Sequence, residues 1–377
     1  MSSQAIIYRG GSVFDGVRLH QDAALRVEAG RITGIGADAE AGGGDTVDLG
    51  GGILAPGYVD LQVNGGGGVM FNDDPSVDTL TQIAAAHRRL GATTILPTLI
   101  TDSAAKTRLA IEAAKAAVAG GVPGIAGLHL EGPHLSVARK GAHDAAFIRP
   151  MADADLAVLV DAAQSLPALM LTVAPENVSP AQVRALVSVG AVVSLGHSDA
   201  EYETCLTYAE AGASCATHLF NAMSQLGNRE PGLVGAVLGS GRLNAGLIAD
   251  GIHVHPEVMR TAWAAKRGPG RIFLVSDAMA PAGTTLEAFE LEGRRISRKD
   301  GRLTLADGTL AGADLDLTTA VRVLTTQAEV PLEAALAAAT SIPADLMQLS
   351  NAGRLQTDRH CPLIRIAPDL SRADVLI

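Results

Sequence analysis

The sequence predicts an α/β fold: a (β/α)8 TIM barrel with a small β-sandwich-like domain formed by both termini. Three observations carry this. Between residues 58 and 277, eight apolar strand-like runs alternate with helical runs, and such alternation implies parallel strands joined by right-handed crossovers. Eight repeats, over a stretch near the usual barrel size of about 250 residues, favour closure over an open doubly wound sheet. The flanking segments, by contrast, are short alternating apolar stretches cut by glycine, the pattern of β-hairpins.

Taken in order, "AIIYRGGSVFDG", "AALRVEAGRITGIG" and "TVDLGGGILAPG" are the hairpin stretches of residues 5–57. The first barrel strand is expected at 58–63 ("YVDLQV"), the second at 93–99 and the third at 125–131 ("IAGLHLE"). The fourth follows at 168–174, the fifth at 191–197 ("AVVSLGH") and the sixth at 213–219 ("ASCATHL"). The seventh and eighth lie at 245–250 and 271–277 ("RIFLVSD"). Ala-rich helical stretches fill the gaps at 78–90, 103–119, 153–164, 179–189, 199–211 and 256–266, with a weaker one near 231–239 and a further helical region at 314–348. The tail, 353–377, returns to short strand-like stretches and is expected to pair with residues 1–50. The expected domains are therefore residues 1–53 and 351–377, forming the small β domain, and 54–350, forming the barrel.

Composition narrows the functional classes. The formal net charge of −11 and the lack of a Lys/Arg run exclude a nucleic-acid face. No apolar run reaches membrane-spanning length. The start, Met1-Ser2-Ser3-Gln4, has no basic region followed by an apolar stretch. Cys205, Cys215 and Cys361 are scattered without a CxxC spacing, which argues against a disulfide framework or a thiolate metal site. A cytoplasmic enzyme with no membrane partner is the expectation. Aromatic residues are only 3% of the chain, so the core must be built from Ala, Val, Leu and Ile.

In such a barrel the chemistry lies at the C-terminal ends of the strands. The expected strand ends carry Asp60, Gln62 and Asn64 (first), Glu131 (third), His197 (fifth), His218 (sixth) and Asp277 (eighth), with Asp250 and His253 after the seventh. Glu131, His197 and His218 form an O,N,N set suited to one divalent ion, zinc first, with iron, manganese or cobalt as alternatives. A cation there also explains why "GLHLEGPHL" ends a buried strand in a carboxylate, since its charge compensates the lost hydration. The competing reading makes each residue an ordinary polar strand cap. Asp277, in "VSDAMAP", is the candidate general base, against a plain helix cap.

In "THLFNAMSQLGNREPG" (217–232), Asn221 and the backbone N–H at Ala222 are placed to grip an anion where a turn begins, and Arg229 offers a fork suited to phosphate. Alternatively, Asn221 stabilises the turn and Arg229 is a solvated loop cation; spacing alone does not separate these readings. His143 ("KGAHD") and His253 ("DGIHVHP") lie on loops above the expected rim, with His255 a rival to His253. His129 shares a strand face with Glu131 and reads as packing or as a support to it. His87 reads as helical surface, and His20 and His360 belong to the small domain.

These motifs, "APGYVDLQVNG", "GLHLEGPHL", "KGAH", "TVAPE", "SLGHSDA", "THLFNAM", "ADGIHVHP", "VSDAMAP" and "LAGADLDL", resemble in order and spacing the N-acetylglucosamine-6-phosphate deacetylases of the amidohydrolase superfamily, over nearly the whole chain. The resemblance implies hydrolysis of the 2-acetamido group of the sugar phosphate to glucosamine 6-phosphate and acetate, in amino-sugar catabolism. It implies metal binding by Glu131, His197 and His218, with Asp277 as base and then as the acid that protonates the leaving amine. It further implies substrate contacts from His143, Asn221, Ala222, Arg229 and His253, and a homodimer in which Arg229 serves the neighbouring subunit's site. Many amidohydrolases end the first strand in His-x-His, which holds a second metal. Here Gln62-Val63-Asn64 stands in that place, and amides are poor substitutes for imidazole, so one tightly held metal is expected and a second site is absent or weak. The tail departs from the superfamily too, with Cys361-Pro362-Leu363 where Ala-Asp-Leu is common.

Three rivals remain at this point. A dihydroorotase-like enzyme or deaminase is disfavoured by the missing His-x-His and by a fourth strand that ends Val173-Ala174-Pro175-Glu176, without lysine. An N-acetylgalactosamine-6-phosphate deacetylase differs by one hydroxyl epimer that sequence does not separate. A non-catalytic sugar-phosphate sensor has no need of the Glu131/His197/His218/Asp277 set.

Overall fold

The computed structural model describes residues 5–41, 43–291 and 293–377. Eight parallel strands run in sequence order around a barrel: β1 (Tyr58–Val63), β2 (Ala92–Ile100), β3 (Leu128–Glu131), β4 (Leu169–Val173), β5 (Val192–Leu195), β6 (Cys215–Ala216), β7 (Asn244–Leu247) and β8 (Ile272–Leu274). The ring closes just past β8. Val63 bridges Ala278 in parallel, the Asp277 N–H donates to the Gln62 carbonyl at 3.0 Å, and the Asn64 N–H donates to the Ala278 carbonyl at 2.9 Å.

The crossover helices are α1 (Val77–Arg89), α2 (Ala104–Ala119), α3 (Asp153–Ser165), α4 (Pro180–Ser188), α5 (Tyr202–Glu210), α6 (Gly232–Gly239), α7 (Pro256–Ala265) and α8 (Leu317–Thr326). Local chemistry starts them. The hydroxyls of Ser76, Ser103 and Ser179 accept the N–H three residues on, and Asp316 does the same for α8. At α4 the Gln182 side chain returns the favour to the Ser179 N–H, and Pro180 occupies the first turn. Between strands and helices lies one continuous core, built chiefly of Ala, Val, Leu and Ile. No described helix is long and apolar enough to cross a membrane.

Both termini form sheets beside the barrel. One sheet holds Ile6–Arg9, Leu25–Glu28, Arg31–Ile35 and Asp45–Asp48; the other joins Ser12–Phe14, Leu19–His20 and Ile53–Pro56 to the tail strands Leu363–Ile366 and Ala373–Val375. Leu363–Ile366 pairs antiparallel with Ile53–Pro56, so the tail does pair with the N-terminal segment.

Two features depart from the sequence reading. An antiparallel sheet of Ala288–Leu291, Arg294–Lys299, Arg302–Thr304 and Leu310–Ala313 follows β8 and had no counterpart among the expected elements. Its apolar face (Leu291, Ile296, Leu303 and Ala311) packs on Met70, Ile100, Met279 and Ala280 at the barrel mouth. His87 is not surface. It is buried on the inner side of α1, where its Nε2 meets the Gly65 carbonyl at 2.9 Å and burial lowers its pKa.

Candidate active site

Strand β3 ends on Glu131, as expected. Strands β5, β6 and β8 stop earlier than the apolar runs suggested, and His197, His218 and Asp277 lie one to three residues beyond them. The reason is backbone conformation. His197 (φ 48°), His218 (φ 30°) and Asp277 (φ 50°) are all left-handed, which ends the ladder and turns each side chain over the barrel mouth. A side chain bearing a Cβ pays about 1–2 kcal/mol for that region, and such strain gathers where function demands a fixed geometry.

The turned side chains converge. His197 Nε2 lies 3.1 Å and His218 Nε2 3.0 Å from the same carboxylate oxygen, Glu131 Oε1, and the two nitrogens are 3.0 Å apart. All three residues are buried. Burial alone would raise the Glu131 pKa, but hydrogen bonds and positive charge from His197 and His218 hold it well below the usual carboxylate range. Burial works against a charged His218 too, and Glu131 outweighs it, raising that pKa.

This donor set fits a cation. His197 Nδ1 meets the Arg139 carbonyl at 2.8 Å, so Nδ1 carries the proton and Nε2 presents its lone pair inward. Ligands at about 2.0–2.1 Å from a tetrahedral ion stand about 3.3 Å from one another, close to the spacings seen. His218 Nδ1 is buried and has no hydrogen-bond partner among the described residues. His143 is an alternative donor, since Glu131, His143 and His197 also bring ligand atoms within 4.8 Å of one another. The set with His218 is the tighter one. Moreover, the Thr101 backbone N–H donates to His143 Nδ1 (3.3 Å), which leaves the proton of a neutral ring on Nε2. Burial, then the charge of His197, pushes the His143 pKa down to about 3, so His143 is a neutral N–H donor beside the trio.

Asp277 is oriented by two amides. Asn64 Nδ2 (2.7 Å) and Gln62 Nε2 (3.1 Å) both donate to its Oδ1, which leaves Oδ2 to carry a proton. Burial first, then the charge of Glu131, lifts its pKa to about 6, near the range where a base works at neutral pH.

These groups line one cavity of about 260 Å³. Asn221, Ala222 and His253 lie along it, on the β6 and β7 side. Ile100, Met279 and Leu291 line the side toward β2, β8 and the added sheet. His253 Nδ1 donates to Asp250 Oδ2 at 2.6 Å, and Asp250 Oδ1 accepts the N–H groups of Ile252 and His253, so one carboxylate fixes both loop and ring. His255 instead accepts the Glu257 N–H as the cap of α7. Arg229 is exposed on the 225–230 loop and does not line this cavity. Sequence reasoning passed over the roles of Gln62 and Asn64 toward Asp277; their alternation with Asp60 on one strand face was the available signal.

Comparison with known proteins places this geometry. Residues 53–364 match the model of the Amidohydrolase family. An N-acetylgalactosamine-6-phosphate deacetylase of Shewanella sp. (strain ANA-3) is 40% identical over 369 residues, 97% of this chain and 92% of that protein. An N-acetylglucosamine-6-phosphate deacetylase of Haemophilus influenzae is 36% identical over 302 residues, 79% of this chain and 78% of that one. Among solved structures, the N-acetylglucosamine-6-phosphate deacetylase of Pasteurella multocida superposes with a TM-score of 0.92 at 31% identity, covering 99% of this chain and 97% of its own.

Proposed function

The chain belongs to the amidohydrolase family, and we propose that it hydrolyses the 2-acetamido group of N-acetylglucosamine 6-phosphate, giving glucosamine 6-phosphate and acetate. The observation that carries this reading is the meeting of Glu131, His197 and His218 within 3.0–3.1 Å in the same cavity as a carboxylate held near neutral pKa. A sensor has no use for either.

Glu131, His197 and His218 are the proposed ligands of one divalent ion, zinc first. Such an ion supplies Lewis acidity toward the amide carbonyl and makes a water acidic near pH 7. The remaining work falls to side chains. Asp277 Oδ2 accepts the proton of the attacking water, while Gln62 and Asn64 keep Oδ1 occupied. His143, neutral and with its Nε2–H free of Thr101, donates to the developing oxyanion. Asp277 then returns its proton to the amide nitrogen, which leaves as an amine. Asn221, the Ala222 backbone and His253 hold the phosphate, and because C2 and C5 stand across the hexose ring, the acyl group points to the opposite, more apolar side of the cavity.

With Gln62 and Asn64 engaged as donors, no strong second metal site is proposed. Arg229, exposed on its loop, is assigned to the active site of a second copy in a homodimer, and the enzyme to the cytoplasm. A second reading, the galacto epimer as substrate, is favoured by the relative from Shewanella. One experiment tests all of this: acetate release from paired N-acetylhexosamine 6-phosphates, by metal-loaded and chelated protein, with metal content measured in the same samples. Release from neither sugar by metal-loaded protein overturns the hydrolase reading, and faster release from the galacto epimer replaces the substrate.

A further inference from the structure

Just below the site, the barrel interior holds polar side chains that the proposed chemistry does not use. Thr98 of β2, His129 of β3, Thr172 of β4, Ser194 of β5 and Thr217, immediately after β6, are all buried, with at most 1% of their surface exposed. They form one chain. His129 Nδ1 lies 3.2 Å from Thr98 Oγ1, and its Nε2 lies 2.7 Å from Thr172 Oγ1. Thr172 Oγ1 meets Thr217 Oγ1 at 2.6 Å, and Thr217 Oγ1 meets Ser194 Oγ at 2.7 Å. At the other end, the Val63 N–H of β1 donates to Thr98 Oγ1 at 2.9 Å. Six consecutive strands are thereby stitched together by side chains as well as by their backbone ladder.

The donor count closes. Each hydroxyl brings one hydrogen and accepts another, and a neutral imidazole carries one N–H and one lone pair on opposite sides. Whichever ring nitrogen holds the proton, His129 passes the direction of the chain from Thr98 to Thr172. No apolar residue does this, and its presence there would leave buried hydroxyls unpaired, at about 1–3 kcal/mol each.

The chain's position gives it a task. Glu131 is two residues beyond His129 on the same strand face, His218 directly follows Thr217, and His197 is three residues beyond Ser194. Thr172 pairs in register with Glu131. Every proposed ligand therefore rises from a strand anchored in this belt, within three residues of the anchor. A barrel filled only by apolar side chains would be as well packed but would let these strands shift against one another.

We propose that His129, with Thr98, Thr172, Thr217 and Ser194, forms a positioning belt that sets the spacing of Glu131, His197 and His218 for the divalent ion. These are positioning residues, not catalytic ones, and the inference rests on the metal-site reading above.

The test is Zn²⁺ affinity, by competition with a chromophoric chelator, on purified full-length protein. Thr172→Val keeps shape but breaks the chain, and Thr172→Ser restores the hydroxyl. Thr217→Val and Thr217→Ser form an independent pair, so misfolding of one valine variant leaves the other to decide. Each valine variant is expected to bind Zn²⁺ about 10–100-fold more weakly, the usual effect of removing a group that orients a ligand, and each serine variant to stay within about threefold of wild type. Folded valine variants with wild-type Zn²⁺ affinity, even with a lowered melting temperature, reduce the belt to ordinary core packing and overturn the proposal. Failure of wild-type protein to bind Zn²⁺ stoichiometrically overturns the metal-site reading, and this inference with it.

Discussion

The side-chain amide of Gln62 bridges Glu131 and Asp277: its Nε2 stands 3.2 Å from Glu131 Oε2 and 3.1 Å from Asp277 Oδ1. One amide N–H is available to each carboxylate, and a buried pair of acids is otherwise held apart only by mutual repulsion. Gln62→Met keeps the length of the side chain and removes both donors. Asp277 should then rise above its value of about 6. A base works only when deprotonated, so the acid limb of kcat/KM should move to higher pH, by roughly one unit, with the rate recovering at alkaline pH. A pH profile that superposes on wild type would show that Gln62 does not tune Asp277.

Asp277→Asn separates the base from the site around it. The amide keeps the size of the carboxylate but takes up no proton. The expected result is normal metal content and a kcat lowered by at least about 10²–10⁴, from acetate release and metal analysis on one sample. Because burial lifts Asp277 to about 6 in the metal-free protein, and a cation nearby lowers it, the wild-type acid limb should fall at or below about pH 6. A limb well above 7 would assign the titration to another group.

Much of this arrangement was legible in the sequence, and the exceptions have physical reasons. The barrel is readable because its strands are buried on both faces and so appear as apolar runs. The ligands are readable because a Glu or His at the end of such a run is hard to explain otherwise. What the runs did not disclose is where each strand stops. "AVVSLGH" is apolar to its end, yet the ladder ends at Leu195, because the left-handed conformation of His197 is imposed by tertiary contacts and leaves no mark on hydropathy. His87 was misjudged because its one partner, the Gly65 carbonyl, comes from a distant loop. The sheet of residues 288–313 is rich in exposed Arg and Lys and lacks apolar runs. Its turns were nevertheless announced by Lys299-Asp300-Gly301 and Ala306-Asp307-Gly308, since Asp-Gly between alternating residues is a strong hairpin signal.

Arg229 offers a test of assembly. If its guanidinium serves the phosphate of a neighbouring copy, Arg229→Ala should raise KM by about tenfold or more, as loss of a forked phosphate contact does. Asp277→Asn and Arg229→Ala proteins would each be impaired alone. Mixed and allowed to exchange subunits, half of the dimers are hybrid, and each hybrid carries one site with both side chains intact. Activity at low substrate should return to about a quarter of the wild-type rate. No recovery after verified exchange would place Arg229 in its own subunit's site or in neither.

Gly312 connects the added sheet to the base. Its φ is +65°, and a Cβ there would stand 2.5 Å from Met279 Cγ, 2.7 Å from Met279 Sδ and 2.9 Å from the Asp277 carbonyl oxygen. The next residue, Ala313, donates its N–H to that same carbonyl at 2.9 Å. Gly312→Ala therefore has to displace Met279 from the cavity wall or the backbone that carries Asp277. A destabilisation of about 1–3 kcal/mol is expected, together with a kcat lowered by about tenfold or more, because small misplacements of a reacting group cost rate steeply. Gly308→Ala is the matched control: its φ is +86°, but a Cβ there meets nothing within 4 Å. It incurs the backbone cost alone and should keep wild-type kcat. Equal kcat in the two variants would mean that the sheet covers the cavity without holding Asp277 in place, and the hydrogen bond from Ala313 would then serve closure of the barrel only.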